Sequence, residues 1–418
     1  MPWALFSVGI LLGVAALNSH FALRRVGLLV LPAWLTAWLV SELPVHFMVL
    51  SGGSAALLSS LGGAEGWQGF VGLGLCVAAA LAMLPHVSAA RRARGAVEAA
   101  LARGLGSDYR EQQPEHAELS WRYASVLPIR QAGVERVRNI TYHTARGKEL
   151  RLDVFRPTER ADKHPVALYV HGGGWVIGNK NQQGLMTMNA LASRGWVCVS
   201  INYRLSPRAT FPEHLHDVKR AIKWVRENIA NHGGDPDFVV ICGGSAGAHL
   251  SALAALTPND REFQVDFPEV DTRVQGCVGY YGVYDFCDRH GHWPHRLFRA
   301  VLLERVVMKR RFADSEELFR NASPAHRVSA DAPPFFLIHG DRDSLAPVHE
   351  SRSFSAELAE VSEHPVVYAE IPGANHAFEI FPSVRSAAVI DGVVRFCDYI
   401  YARHQAARSS TDEATTST

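Results

Sequence analysis

The chain has 418 residues, long enough for a large catalytic core plus a further module. Its 42 Lys and Arg stand against 41 Asp and Glu, so it carries no basic field for a polyanion, and nucleic acid is excluded as an expected partner. The six cysteines, at 76, 198, 242, 277, 287 and 397, form no C-x-x-C pair and read as reduced core residues.

Residues 1–90 are written for a different solvent, since only Arg24, Arg25, Glu42 and Glu65 are formally charged there. Three apolar stretches, 3–23, 26–50 and 67–86, each approach the roughly 20 helical residues that a hydrocarbon core requires. The middle one is compromised by Pro32, Glu42 and Pro44, and Glu42 is read as interfacial. No basic residue precedes the first run and another apolar run follows it, which argues against a cleaved signal peptide. Three spans put Arg24-Arg25 and Arg91, Arg92 and Arg94 on one side, cytoplasmic by the positive-inside rule. The rest of the chain is then expected in the cytoplasm; two spans would put it outside.

Residues 91–135 are polar with a helical patch at 96–105 and are expected to be a juxtamembrane linker and possible cap. From 136 to 403 strand and helix patterns alternate, the signature of an α/β fold with a mostly parallel sheet and helices on both faces. Strands are expected at 136–143, 149–155, 166–170, 196–202, 238–242, 274–280, 334–338 and 366–370. Helices are expected at 186–193, 213–230, 246–256, 312–319, 349–361 and 384–403. Residues 287–327, rich in Arg, His and aromatics, interrupt the alternation as an inserted lid. The Ser/Thr-rich tail 404–418 is expected to be disordered.

Three motifs carry chemistry. The apolar run 238–242 stops at Gly243-Gly244-Ser245-Ala246-Gly247 and a small-residue helical pattern follows at once. Such a sharp strand-to-helix turn needs glycines and presents Ser245 outward as a nucleophile. His171-Gly172-Gly173-Gly174-Trp175 follows the strand at 166–170, and consecutive glycines let backbone N–H groups converge on negative charge. Gly173, Gly174 and Ala246 are the expected oxyanion donors, and Trp175 and Tyr281 the expected lining of the substrate pocket. A P-loop is excluded because no Lys-Ser or Lys-Thr follows. Asp343 and His376, each after a later strand, complete the chain order Ser, Asp, His. His376 would take the Ser245 proton and Asp343 would fix the imidazole tautomer; Asp341 is the rival acid. His290, His292 and His295 have ligand-like spacing, but the chemistry asks for no metal, and no cofactor is expected.

Together His171–Trp175, Tyr203–Pro207, Gly243–Gly247, Gly340–Leu345 and Gly373–Phe378 resemble the α/β-hydrolases of the hormone-sensitive-lipase-like esterase group, which includes bacterial lipolytic family IV and arylacetamide-deacetylase relatives. The likeness covers roughly residues 136–403. It implies hydrolysis of carboxylic esters without metal or organic cofactor, through Ser245, Asp343 and His376, with oxyanion donors at Gly173, Gly174 and Ala246. Gly244 stands where many members have an acidic residue, and Ala248-His249 resembles isoprenylcysteine methylesterases and feruloyl-esterase-like relatives. The hydrophobic N-terminal extension resembles that of some actinobacterial esterases. The expectation is a membrane-anchored serine carboxylesterase or lipase acting on a small-molecule or lipid ester. An amidase, formamidase or acyltransferase on the same triad, and a non-catalytic receptor or scaffold, are the alternatives.

Overall fold

The structure, a computed structural model, describes residues 1–21, 30–112, 131–159, 163–293 and 298–416. Arg24, Arg25 and His295 lie outside these residues, as does the part of the expected linker from 113 to 130.

Eight strands form one sheet: β1 (Val134–Ala145), β2 (Lys148–Pro157), β3 (His164–Val170), β4 (Val197–Ile201), β5 (Gly234–Gly244), β6 (Gly276–Tyr280), β7 (Phe335–Gly340) and β8 (Val366–Ile371). Their order is β1-β2-β4-β3-β5-β6-β7-β8. β1, β2 and β4 pair antiparallel, and from β4 through β8 every pairing is parallel. Parallel strands need crossovers that cover both faces, so β3–β7 are buried along most of their length rather than at alternate residues. Along β3, Val166, Leu168 and Val170 enter one core while Ala167 and Tyr169 enter the other, as the two-residue period of a strand requires.

The helices sort by face. On the first face lie α7 (Glu213–Asn228), α8 (Ala246–Leu256) and α10 (Val348–Val361). Leu215, Val218, Ala221, Ile222 and Val225 of α7 all enter that core, the stripe expected of a half-buried helix. The second face is covered by α6 (Leu185–Ala192), α11 (Val384–Thr416) and α5 (Leu84–Leu105). A short α9 (Glu316–Asn321) lies in the insertion between β6 and β7.

Helix α5 departs from the expected linker. Its second half buries Ala93, Val97, Ala100, Leu101 and Leu105 against β8 and α11. The approach is so close that a Cβ on Gly104 would lie 2.7 Å from Val367 Cγ2. The C-terminal tail differs as well, because α11 continues as helix through Thr416 and its residues 405–410 are exposed.

The N-terminal region holds α1 (Pro2–His20), α2 (Val30–Glu42), α3 (Pro44–Leu58, continuing in a π-turn to Gly63) and α4 (Gly66–Leu81). Among the described residues three helical segments are long and apolar enough to cross a membrane: Pro2–His20, Pro44–Gly63 and the helix beginning at Gly66. The number agrees with the expectation; the middle segment does not. Pro44 opens a new helix, because its ring fits a first turn but not a helix interior, and so the 26–50 run is cut at Leu43. α1 and α4 cross at glycines, where a Cβ on Gly72 would sit 2.6 Å from the Leu5 backbone. Outward they expose Trp3, Leu11, Val14, Leu17, Phe70 and Leu81, an apolar surface suited to lipid. Glu42 does not face solvent. Its side chain is fully buried and ion-paired with Arg385, itself 1% exposed.

Candidate active site

β5 ends where the chemistry begins. From Phe238 to Thr257 every residue is buried except Ser245, which keeps partial contact with solvent. Ser245 sits at φ 55°, ψ −120°, a costly conformation for a side-chain-bearing residue. Its N–H donates to Tyr280 O at 2.8 Å, tying the turn to β6, and its carbonyl accepts from His249 N at 3.1 Å to start α8. The flanking glycines are dictated by space: a Cβ on Gly243 would lie 2.4 Å from the Gly247 backbone, and one on Gly247 would lie 2.1 Å from Val170 O.

His376 and Asp343 come from the loops after β8 and β7. His376 Nδ1 lies 2.6 Å from Asp343 Oδ2 and His376 Nε2 lies 2.9 Å from Ser245 Oγ. A carboxylate only accepts, so Nδ1 carries the proton and Nε2 is left to take the one on Ser245. Asp343 is buried, and its other oxygen accepts the N–H groups of Leu345 and Ala346, both at 2.8 Å. Burial alone would raise this carboxyl, but His376 and His339 outweigh it and hold Asp343 well below the usual carboxylate range. Asp341, the rival acid, instead accepts Gly373 N–H at 2.7 Å.

The glycine loop rests directly on this turn. A Cβ on Gly172 would lie 3.2 Å from Ser245 Cβ, and Gly172 N–H is fixed by Gln183 Oε1 at 2.6 Å. Gly173 and Gly174 have φ of 114° and 59°, open to glycine at no steric cost. The N–H groups of Gly173, Gly174 and Ala246 donate to no protein acceptor among the described residues. His171 stacks on Tyr203 at 4.4 Å and its Nδ1 reaches Gly172 O at 2.7 Å; burial pushes this imidazole down to about 4, so it braces the loop as a neutral group.

The two expected pocket residues do not line an open pocket. Trp175 is 2% exposed and its Nε1–H donates to His249 Nδ1 at 3.3 Å, with Phe286 beside it. Tyr281 is fully buried, donates its hydroxyl to Glu379 at 2.5 Å, and lays its ring 4.5 Å from that of His376. Both are supports under the site. In the insertion, Leu302 lies 3.8 Å from where a Gly174 Cβ would be. It belongs to a π-helical segment, Phe298–Val307. Elsewhere His290 meets Glu357 and His292 meets Ser353.

Several contributors were not singled out from sequence. His339, one turn of chain before Asp343, places Nε2 3.1 Å from the same Oδ2 and Nδ1 2.7 Å from Ser351 Oγ. Asn375 Oδ1 accepts from His376 N at 2.8 Å and from Ser344 N and Oγ, linking the acid and base loops. The His-Gly-Asp-x-Asp spacing was a signal for the first; Asn375 offered none beyond its place next to His376. His249, from the Ala248-His249 departure, is a buried neutral brace between Trp175 and Ala322 O.

A family model described as BD-FAE matches residues 152–358. Over 407 residues the chain is 40% identical to "Probable carboxylic ester hydrolase LipM" of Mycobacterium tuberculosis, covering 94% of this chain and 92% of that one. "Esterase LipQ" of the same organism is 47% identical over 264 residues, 63% of this chain and 62% of LipQ. Among solved structures, the butyrate-bound thermophilic esterase Est2 of Thermogutta terrifontis superposes with a TM-score of 0.50 at 25% identity, covering 62% of this chain and 88% of that one. The chain is therefore a member of the α/β-hydrolase family of carboxylic ester hydrolases to which LipM belongs.

Proposed function

We propose that this protein is a membrane-anchored serine ester hydrolase. Ser245 attacks the ester carbonyl as His376 Nε2 takes its proton, and the tetrahedral oxyanion receives hydrogen bonds from the N–H groups of Gly173, Gly174 and Ala246. His376 returns the proton to the departing alcohol. Water, deprotonated by the same imidazole, then releases the acid from the acyl-serine. Asp343 fixes the tautomer and stabilises the imidazolium. The observation that carries this reading is the continuous path Asp343–His376–Ser245, at 2.6 and 2.9 Å, ending on a half-buried hydroxyl. The substrate class is a short- to medium-chain or lipid-derived carboxylic ester, reached at the edge of a bilayer.

Three crossings, by α1, α3 and α4, support an arrangement in which α2 and α5 share one side with the catalytic domain, residues 136–403. The exposed Arg91, Arg92 and Arg94 on α5 favour the cytoplasmic side. Hydrolysis of p-nitrophenyl esters of graded acyl length by the full chain tests the chemistry. Ser245→Ala is expected to lower kcat by at least about 10³-fold; turnover surviving that change would reject the mechanism, and binding without turnover in the parent would favour a receptor.

A further inference from the structure

Among the described residues helix α2 runs from Val30 to Glu42. It lies against the loop that carries His376. Asn375 N–H donates to Glu42 Oε1 at 3.3 Å and Trp38 Nε1–H donates to Ala377 O at 2.9 Å, so α2 grips the residues immediately before and after the imidazole. The Trp38 ring packs 4.6 Å from Phe381, and the Trp34 ring meets His376 edge-on at 6.4 Å. Glu42 also pairs with Arg385 in the interior, and Ser41 O accepts from the same guanidinium nitrogen at 3.4 Å.

The grip has a physical reason. Ala377 has φ 62°, ψ 30°, left-handed backbone that is costly for a non-glycine residue. A loop held there relaxes unless something outside it intervenes. Arg385 Nε and Nη2 find no hydrogen-bond partner among the described residues, which leaves Glu42 as the carboxylate that neutralises it.

We propose that Trp38 and Glu42 are positioning residues of the hydrolase, and that the N-terminal region, besides anchoring the chain, holds His376 in line between Asp343 and Ser245. This rests on His376 being the base. Displacing a catalytic group by about 1 Å costs up to 10²-fold in rate, so the contacts are expected to act on kcat and not on KM.

The test uses the full chain in detergent micelles with p-nitrophenyl butyrate, rates being normalised to active sites titrated with a fluorophosphonate so that unfolded molecules drop out. Trp38→Phe keeps an aromatic ring on Phe381 and removes the bond to Ala377 O; kcat is expected to fall about tenfold with KM within twofold. Glu42→Gln, which keeps an acceptor for Asn375 N–H but unpairs Arg385, is expected to lower kcat in the same way. Trp67→Phe, in the aromatic cluster of α1 and α4, is expected to leave both constants unchanged. Unchanged kcat in both α2 variants, or a rise in KM alone, would overturn the proposal while Ser245→Ala remained inactive. Activity in Ser245→Ala would instead remove the triad beneath it.

Discussion

Two aspartates two residues apart compete for one role in the sequence, and the backbone separates them. Asp341 caps the loop at Gly373, whereas Asp343 is turned to His376 by the amides of Leu345 and Ala346. Asp343→Asn would let the imidazole adopt the wrong tautomer, and kcat is expected to fall about 10⁴-fold with the fold intact. Asp341→Asn is expected to stay within severalfold of the parent; equal losses in steady-state assays of the two would contradict the assignment. Ser, Asp and His were legible because each follows a strand end. Their supports were less so: His339 and Asn375 lie close in sequence to Asp343 and His376 but carry no motif that sets their roles, and Glu379 meets Tyr281 only through tertiary contact. Glu379 offers a separate measurement. Burial raises its carboxyl to about 7, against the lowering effect of the Tyr281 hydrogen bond, and so above the unfolded value; the stability it contributes is present below about pH 4.5 and is lost as pH rises to about 7. Glu379→Gln should therefore gain on the parent by about 1.4 kcal/mol per pH unit across that window, read from denaturation at stepped pH. A pH-independent difference would show that the carboxyl is already ionised.

At the scale of elements, the turn after β5 is the part most tightly specified by local chemistry. A methyl group at Gly247 would enter the space of Val170 O and His171 O, so Gly247→Ala is expected to lower the melting temperature and abolish activity together. Survival of both would mean the turn can open. All eight strands were legible: β3 to β8 from short apolar, largely β-branched or aromatic runs bounded by turn residues, and β1 and β2 from β-branched residues spaced among polar ones. The insertion was less so: residues 298–307 form a π-helical segment whose wider turn does not follow the 3.6-residue period. α5 was legible as helix only at 96–105, and its packing on the sheet was hidden differently. Its buried face at Ala89, Ala93, Val97, Ala100 and Leu101 has helical spacing, but alanines carry a weak signal beside Arg91, Arg92 and Arg94. Glu42 marks the same limit, since a lone acid in an apolar run reveals nothing of an arginine more than 300 residues away.

For the whole molecule, the contacts of α2 with the His376 loop constrain topology as well as chemistry. If α1 crosses once, and α3 and α4 form a hairpin out and back, then α2, α5 and the sheet share a side. With Cys287, the half-buried cysteine among five buried ones, replaced by Ser, a cysteine at Arg92 should react with an impermeant maleimide only from the cytoplasmic side. One at Glu65, between α3 and α4, should react only from the opposite side. Labelling of both from one side would contradict three crossings.

The most direct measurement is the mass of the chain after brief exposure to a fluorophosphonate, with the modified peptide sequenced. The account predicts one phosphonyl group on Ser245, formed orders of magnitude more slowly when His376 is replaced by Ala. Modification at another serine, or an undiminished rate without His376, would contradict it.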